Sequence, residues 1–259
     1  MNISSPRFSF AATLAAAALV ASAVGCNSES RADLKSDPNL VATMRAVDSG
    51  AVGVGDVAKI TGWGTLKGRF TFNGNPPAAG PNPGFDPAKD KLCVIKVPNE
   101  TLVVDSGNKG IANILVYLTT APGIHPDILA EPPKEVIFDQ KQCRFIDHVS
   151  GVYMKNKWVI LNSDETGHNA SMAPGRGNPT ANPLLQAKNG RFDYPGFKNP
   201  LSNPFEVSCA IHPWMKSYVI ARPDPYFAVT ATDGSFKIEK LPAGVELEFQ
   251  VWHERARPA

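Results

Sequence analysis

The chain has 259 residues, with 26 Lys and Arg against 24 Asp and Glu and a formal charge of +2. It holds no basic run interleaved with aromatics that could track a phosphate backbone, so nucleic acid is not an expected partner. Hydrophobic content of 43% is ordinary for a globular protein, while 23 Pro and 21 Gly point to many turns and little long helix.

A short polar start with Arg7 leads into the apolar, Ala-rich stretch Phe8 to Val24, which ends Ala23-Val24-Gly25-Cys26. Small residues at that end suit a signal peptidase, so residues 1–25 read as a signal peptide and the remainder as exported. At about 17 residues the stretch is at the short edge for a membrane span. The step from Gly25 to Cys26, followed by polar Asn27, Ser28 and Glu29, resembles a bacterial lipoprotein site, although Ala23 stands where such sites favour Leu. That resemblance implies a lipid on Cys26 and a periplasmic or cell-surface protein that touches the membrane only through it.

Residues 26–60 are polar and small and read as a tether, with one modest helix candidate around Leu40 to Val47. From Lys67 onward, short β-branched and aromatic runs alternate with Pro, Gly, Asn and Asp, as strands alternate with turns. Expected strands are Gly68 to Phe72, Thr101 to Val104, Ile111 to Thr119, Glu135 to Phe138, Tyr153 to Leu161 and Pro204 to Cys209. Ser217 to Ala221, Phe227 to Thr230, Ser235 to Ile238 and Glu246 to Trp252 complete the set. Between Asn169 and Cys209 lie 39 residues with six prolines, too irregular for a continuous helix and read as an ordered excursion.

The sharpest motif is Cys209-Ala210-Ile211-His212-Pro213-Trp214-Met215. Thiolate, imidazole and thioether are soft or borderline ligands, and two His, a Cys and a weak axial Met form the blue-copper arrangement. One loop offers three of these four groups. His168, after the turn Asn162-Ser163-Asp164-Glu165-Thr166-Gly167, is placed to supply the second imidazole.

These residues resemble the cupredoxin superfamily, and most closely its amicyanin- and plastocyanin-like members with a short Cys-x-x-His-x-x-Met loop. The resemblance implies an all-β, Greek-key sandwich with one mononuclear type 1 copper, held by His168, Cys209 and His212 in the equatorial plane and Met215 on the axis. It also implies that Asn169 locks the two ligand loops together by hydrogen bonding, with Ser208 as its plausible partner. If Cys26 is lipidated and Cys209 is a free thiolate, Cys93 and Cys143 remain to form one disulfide in an oxidising compartment; the alternative is two buried free thiols. Cys143 and His148 make a Cys-x4-His pair read as coincidental, and His125 and His253 read as structural or solvated. Asp164 and Glu165 read as ordinary turn carboxylates.

The stretch Tyr226 to Thr230, then Asp233-Gly234-Ser235-Phe236-Lys237-Ile238 and Leu241-Pro242-Ala243-Gly244, resembles the carboxypeptidase regulatory-like β-sandwich module, with Gly64 to Phe70 as its opening strand. The expected organisation is therefore a copper domain over residues 61–224, enlarged by or fused to a second small β-sandwich segment over 225–259. A copper with four protein ligands has no obvious open position, which favours an electron shuttle over an enzyme. In the resembling family the second His is the electron's exit, so His212, with Pro213 and Trp214 as an apolar patch, is where redox partner proteins would dock. Two other classes stay open: an exterior scaffold or binding module with incidental copper, and a copper carrier or oxidase-like enzyme. Colour separates the first from an electron shuttle, and retention of copper through reduction separates the carrier. No phosphate loop, nucleophile elbow or zinc-protease helix is present.

Overall fold

The computed structural model describes residues 60–86, 93 and 97–256, together with the backbone of two strands nearer the start, Arg7–Phe10 and Leu40–Val47. The rest of the expected leader, Cys26 and most of the expected tether lie outside the described residues. Among the described residues, helix is confined to Pro126–Ala130 and the short 3-10 turn Glu254–Ala256. The chain is all-β, as the density of Pro, Gly and β-branched residues leads one to expect.

The stretch Leu40–Val47, expected as a helix, is a strand paired antiparallel with Thr65 to Phe72. Eight residues are few to offset the cost of helix nucleation. The β-branched Val41, Thr43 and Val47 suit a strand, and the edge of Gly62–Phe72 supplies the missing backbone partners. Within the expected leader, Arg7–Phe10 pairs with Leu247 to Gln250. The expected strand at Thr101 to Val104 is reduced to a single bridge, Val104 to Ile111.

The chain divides into two compact units, each drawn from separate pieces of sequence. One comprises residues 1–78, 101–131 and 226–259; the other comprises 79–100 and 132–225. This division groups residues differently from the expected copper domain over 61–224 and segment over 225–259. Residues 61–78 and 101–131 belong with the C-terminal segment because their strands pair there. Gly62–Phe72 lies antiparallel to Ser235–Ala243, and Leu115–Leu118 lies between Phe227–Val229 and Leu247–Trp252.

The first unit has a four-stranded sheet, in the order Arg7–Phe10, Leu247–Trp252, Leu115–Leu118, Phe227–Val229, and a three-stranded sheet centred on Gly62–Phe72. Its core is shared by both: Phe70, Phe236 and Ile238 from one, Val116, Leu118 and Phe249 from the other. Along Ser235 to Glu239, Phe236 and Ile238 are buried while Lys237 and Glu239 face out, the period-2 signature of a half-buried strand. Phe236 sits opposite Gly68 in register, and a Cβ on Gly68 would lie 2.3 Å from the Phe236 ring. Only glycine leaves room for that ring to cover the neighbouring strand.

The second unit has two four-stranded sheets. One runs Ser171–Met172, Phe205–Ser208, Lys216–Arg222, Val149–Tyr153; the other runs Gly190–Asp193, Lys157–Asn162, Glu135–Lys141, Arg144–Phe145. Each contains one parallel pair, Lys216–Arg222 with Val149–Tyr153 and Glu135–Lys141 with Lys157–Asn162. Their inner faces share a core in which Trp158, Phe138 and Phe145 meet Val207, Val219 and Met172. Trp158 is ringed by Phe138, Tyr194, Phe197 and Phe205, with ring centres 5.3–6.1 Å away.

The Pro-rich excursion between Asn169 and Cys209 is ordered. It carries Ser171–Met172, Leu184–Leu185 and Gly190–Asp193 before Phe205–Ser208. Buried Asn178 ties its two limbs: Oδ1 accepts from the N–H groups of Lys198 (2.8 Å) and Asn199 (2.9 Å), and Nδ2 donates to Gly175 O and Asn199 O.

Candidate metal centre

Two loops at one end of the second unit build the site. The first leaves the strand Lys157–Asn162 and returns at His168–Asn169. Its anchor is Asn162, fully buried, whose Nδ2 donates to the carbonyls of Thr166 (2.9 Å), Leu185 and Gln186 (both 3.1 Å), while Oδ1 accepts from Asp164 N. That fixes the turn and delivers His168, which pairs with Leu185 across a two-residue ladder. The second loop, residues 209–215, closes the hairpin of Phe205–Ser208 and Lys216–Arg222. Cys209 N–H donates to Met215 O (3.2 Å) and Met215 N–H to His212 O (2.9 Å). The spacing of the motif is thus the spacing of a tight loop.

The structure brings His168, Cys209 and His212 together, all buried, with ligand atoms within 4.8 Å of one another. Nδ1 of His168 lies 2.8 Å from Nδ1 of His212, and Cys209 Sγ lies 3.9 Å from the same His212 nitrogen. Met215, 1% exposed, is buried in the same core cluster as Cys209.

Asn169 does link the two loops. Its Oδ1 accepts from Ala210 N–H (2.8 Å), Ile211 N–H (3.4 Å) and the Cys209 thiol (3.3 Å). The expected partner Ser208 is not among these: Nδ2 of Asn169 donates to Asn182 instead. Ser208 lies within the paired ladder, facing Ser171 and Lys216 in register, one residue short of the loop that Asn169 reaches.

Trp214, expected on an exposed docking patch, is buried at 6% exposure. Its indole N–H donates to Cys143 O (2.9 Å) and Phe85 packs edge-on against it at 5.0 Å. An indole with a buried partner for its one donor and an aromatic neighbour gains more from the interior than from water. His212 itself is only 7% exposed, while Ile211 beside it is 50% exposed and Pro213 is exposed.

Cys93 and Cys143 form a disulfide closing a separation of 50 residues, and Cys209 is a buried free thiol. His148 stands edge-on to Tyr218 and close to Glu100, while Cys143 is committed to its bridge, so the Cys-x4-His pair makes no second site. His125 caps Pro126–Ala130 by accepting from Asp127 N–H, against the ring of Trp63. His253 accepts from Arg255 N–H.

Asp164, which reads from the sequence as an ordinary turn carboxylate, holds the outer nitrogen of His168: Oδ2 lies 2.8 Å from Nε2. A carboxylate four residues before a candidate ligand, on a turn that brings it back, is the signal that could have found it. Such a partner fixes the ring's orientation and leaves Nδ1 to face the shared point. Burial would raise the Asp164 carboxyl, but the His168 ring and the N–H groups of Cys143 and Glu165 hold it below the ordinary range. Burial would lower His168, yet Cys209 and Asp164 on its two sides raise it. Burial would raise the Cys209 thiol; the two imidazoles, with N–H groups of Asn169 and His212, outweigh that and bring it down to about 5. A low thiol pKa between two imidazoles favours the thiolate, the form that binds metal. Two imidazole nitrogens, a thiolate and a nearby thioether residue fit a soft or borderline ion such as copper.

No protein family matches the chain, and no curated protein does. Among solved structures, an oxidized amicyanin mutant is 14% identical with a TM-score of 0.29, the similarity covering 41% of this chain and 98% of that one. Amicyanin from Paracoccus versutus (Thiobacillus versutus) is 14% identical with a TM-score of 0.30, over 41% of this chain and 97% of its own. The copper-containing nitrite reductase of Thermus scotoductus SA-01 is 20% identical with a TM-score of 0.31, over 39% of this chain and 27% of its own.

Proposed function

We propose that the second unit is a cupredoxin-like domain whose His168, Cys209, His212 and Met215 would hold one type 1 copper, and that it serves as an electron shuttle. The reading rests on one observation, the buried convergence of two imidazole nitrogens and a thiol of lowered pKa on a single point. Copper bound there would supply a one-electron couple. The chain's own residues do the rest: Asp164 and Asn162 orient His168, Asn169 ties the two loops, and the burial of the four side chains, with Trp214 packed beside His212, excludes water. Two stiff loops that do not rearrange are what a low reorganisation cost requires. With Trp214 buried, partner proteins would meet the edge of His212 between exposed Ile211 and Pro213.

The proposal extends to the ends of the chain. Residues 1–25, with the paired strand Arg7–Phe10, would direct export and be cleaved away, Cys26 would carry a lipid in the periplasm or at the cell surface, and the rest of the first unit would be the carboxypeptidase regulatory-like module. The test is a visible and electron paramagnetic resonance spectrum of the copper-loaded full chain. An intense thiolate-to-copper band, abolished by Cys209→Ser and cycling on reduction without loss of copper, is the expected result. A colourless copper-loaded protein sinks the proposal, and release of copper on reduction makes the chain a carrier.

A further inference from the structure

Cys143 occupies the second position of the two-residue turn between Glu135–Lys141 and Arg144–Phe145. Both turn residues, Gln142 (φ 56°) and Cys143 (φ 52°), adopt the left-handed backbone, which side chains other than glycine and asparagine rarely take. Such a conformation persists only where the surroundings fix it. Here every bonding group of Cys143 is engaged. Its N–H donates to Asp164 Oδ2 at 2.6 Å, its carbonyl accepts from Trp214 Nε1 at 2.9 Å, and its sulfur is bonded to Cys93.

The two hydrogen bonds lead to different ligand loops. Asp164 Oδ2 is also the atom that holds His168 Nε2, and Trp214 lies between His212 and Met215 on the second loop. One peptide therefore ties the support of the first imidazole to the loop that carries the other three candidate ligands, and the bridge to Cys93 fixes that peptide. We propose that Cys143 is a positioning residue of the metal centre: its N–H and C=O set the relative placement of the two ligand loops, and the disulfide keeps that clamp in place. The bridge then acts on the site as well as on the stability of the fold. This inference rests on the copper reading for its role in the function, and on geometry alone for the clamp.

The test removes the bridge while keeping the peptide groups, by Cys93→Ser with Cys143→Ser in the full chain, beside Asp164→Ala and Trp214→Phe. Residues that support ligands typically contribute ~10- to 100-fold to metal affinity. Each of the three changes should weaken copper binding by about tenfold or more on that scale and shift the paramagnetic resonance spectrum. Bridge loss combined with Asp164→Ala should weaken binding no further than the worse of the two alone, because both open the same clamp. Unchanged affinity and spectrum in the bridge-free protein, or strictly additive effects, overturn the proposal.

A metal-free readout separates failure of the clamp from failure of the copper reading. Alkylation of Cys209, followed on its own peptide by mass spectrometry, should be about tenfold faster in all three variants, because a loosened loop opens locally and exposes the buried thiol. Faster alkylation in a protein that never shows a thiolate–copper band keeps the clamp and sinks the copper. Unchanged alkylation overturns the clamp. If the bridge-free chain does not fold, Trp214→Phe, which removes only the donor to Cys143, decides in the same way.

Discussion

Replacing Asn169 by Ala removes a side chain that ties the end of the first candidate ligand loop to the second. Its Oδ1 accepts a short bond from Ala210 N–H at 2.8 Å, and its Nδ2 donates to Asn182; the contacts to Ile211 N–H at 3.4 Å and to the Cys209 thiol at 3.3 Å are long. Only the two good bonds count, and at a net 0.5–1.5 kcal/mol each they sum to about 1–3 kcal/mol. Because the chain has two units, native-state hydrogen exchange reads this better than a single unfolding midpoint. The reporters are the amides of Cys209 and Met215, which close the loop without touching Asn169's side-chain oxygen through their own N–H groups. In the metal-free protein their exchange should quicken by about 5- to 150-fold, the range that corresponds to 1–3 kcal/mol. Ser208→Ala is the control and should change either amide by less than about threefold, the scale of a neutral substitution. Equal effects of the two substitutions, or none from Asn169→Ala, would refute the assignment of Asn169 as the tie.

The Cys209 thiol, at about 5 in the fold, sits below the ~8.5 of a free thiol. Its contribution to stability is therefore complete above the unfolded value and is lost as pH falls through about 5. In metal-free protein the thiolate ultraviolet absorbance should show its step near pH 5, and His168→Ala should move that step upward; a wild-type step near that of a free thiol would contradict the pairing. His168 has the opposite sign: its raised pKa contributes stability that is fully present below the ordinary imidazole range and is lost as pH rises through the folded value. Trp158→Ala should cost about 3–5 kcal/mol, as large aromatic truncations in cores do, measured by denaturation of the second unit; a loss under about 1 kcal/mol would mean that its aromatic ring is not the core. Gly234 has φ +82°, and a Cβ there would come within 2.1 Å of Phe70 O. Gly234→Ala should destabilise the first unit by more than ~1 kcal/mol in thermal unfolding, and an unchanged midpoint would contradict that packing.

What was legible in the sequence is what is local. Cys209, His212 and Met215 share a seven-residue loop whose spacing is set by the loop's own hydrogen bonds, so the motif announces itself. His168 could be added because a strand and a polar turn precede it. Less legible were interactions made by backbone or by distant pieces. Cys143 acts through its N–H and C=O, which any residue carries, and nothing in the side-chain pattern marks them. Trp214 looked like a surface aromatic because Phe85, more than a hundred residues earlier, covers it. Leu40–Val47 and the borders of the two units depend on pairings across the chain, Leu40 with Phe72 and Gly62 with Ala243, which short-range periodicity does not encode.

The backbone passes from one body to the other four times, after Ala78, Glu100, Glu131 and Pro225. A segment cut out from 79 to 225 to isolate the metal-bearing body would carry 101–131 with it. That passenger includes Leu115–Leu118, every residue of which is buried between Phe227–Val229 and Leu247–Trp252 in the intact chain. Stripped of both neighbours it would be a bare, apolar strand with two open edges, the kind of segment that drives aggregation. The candidate centre is therefore not a cassette that a single excision could lift out of the chain.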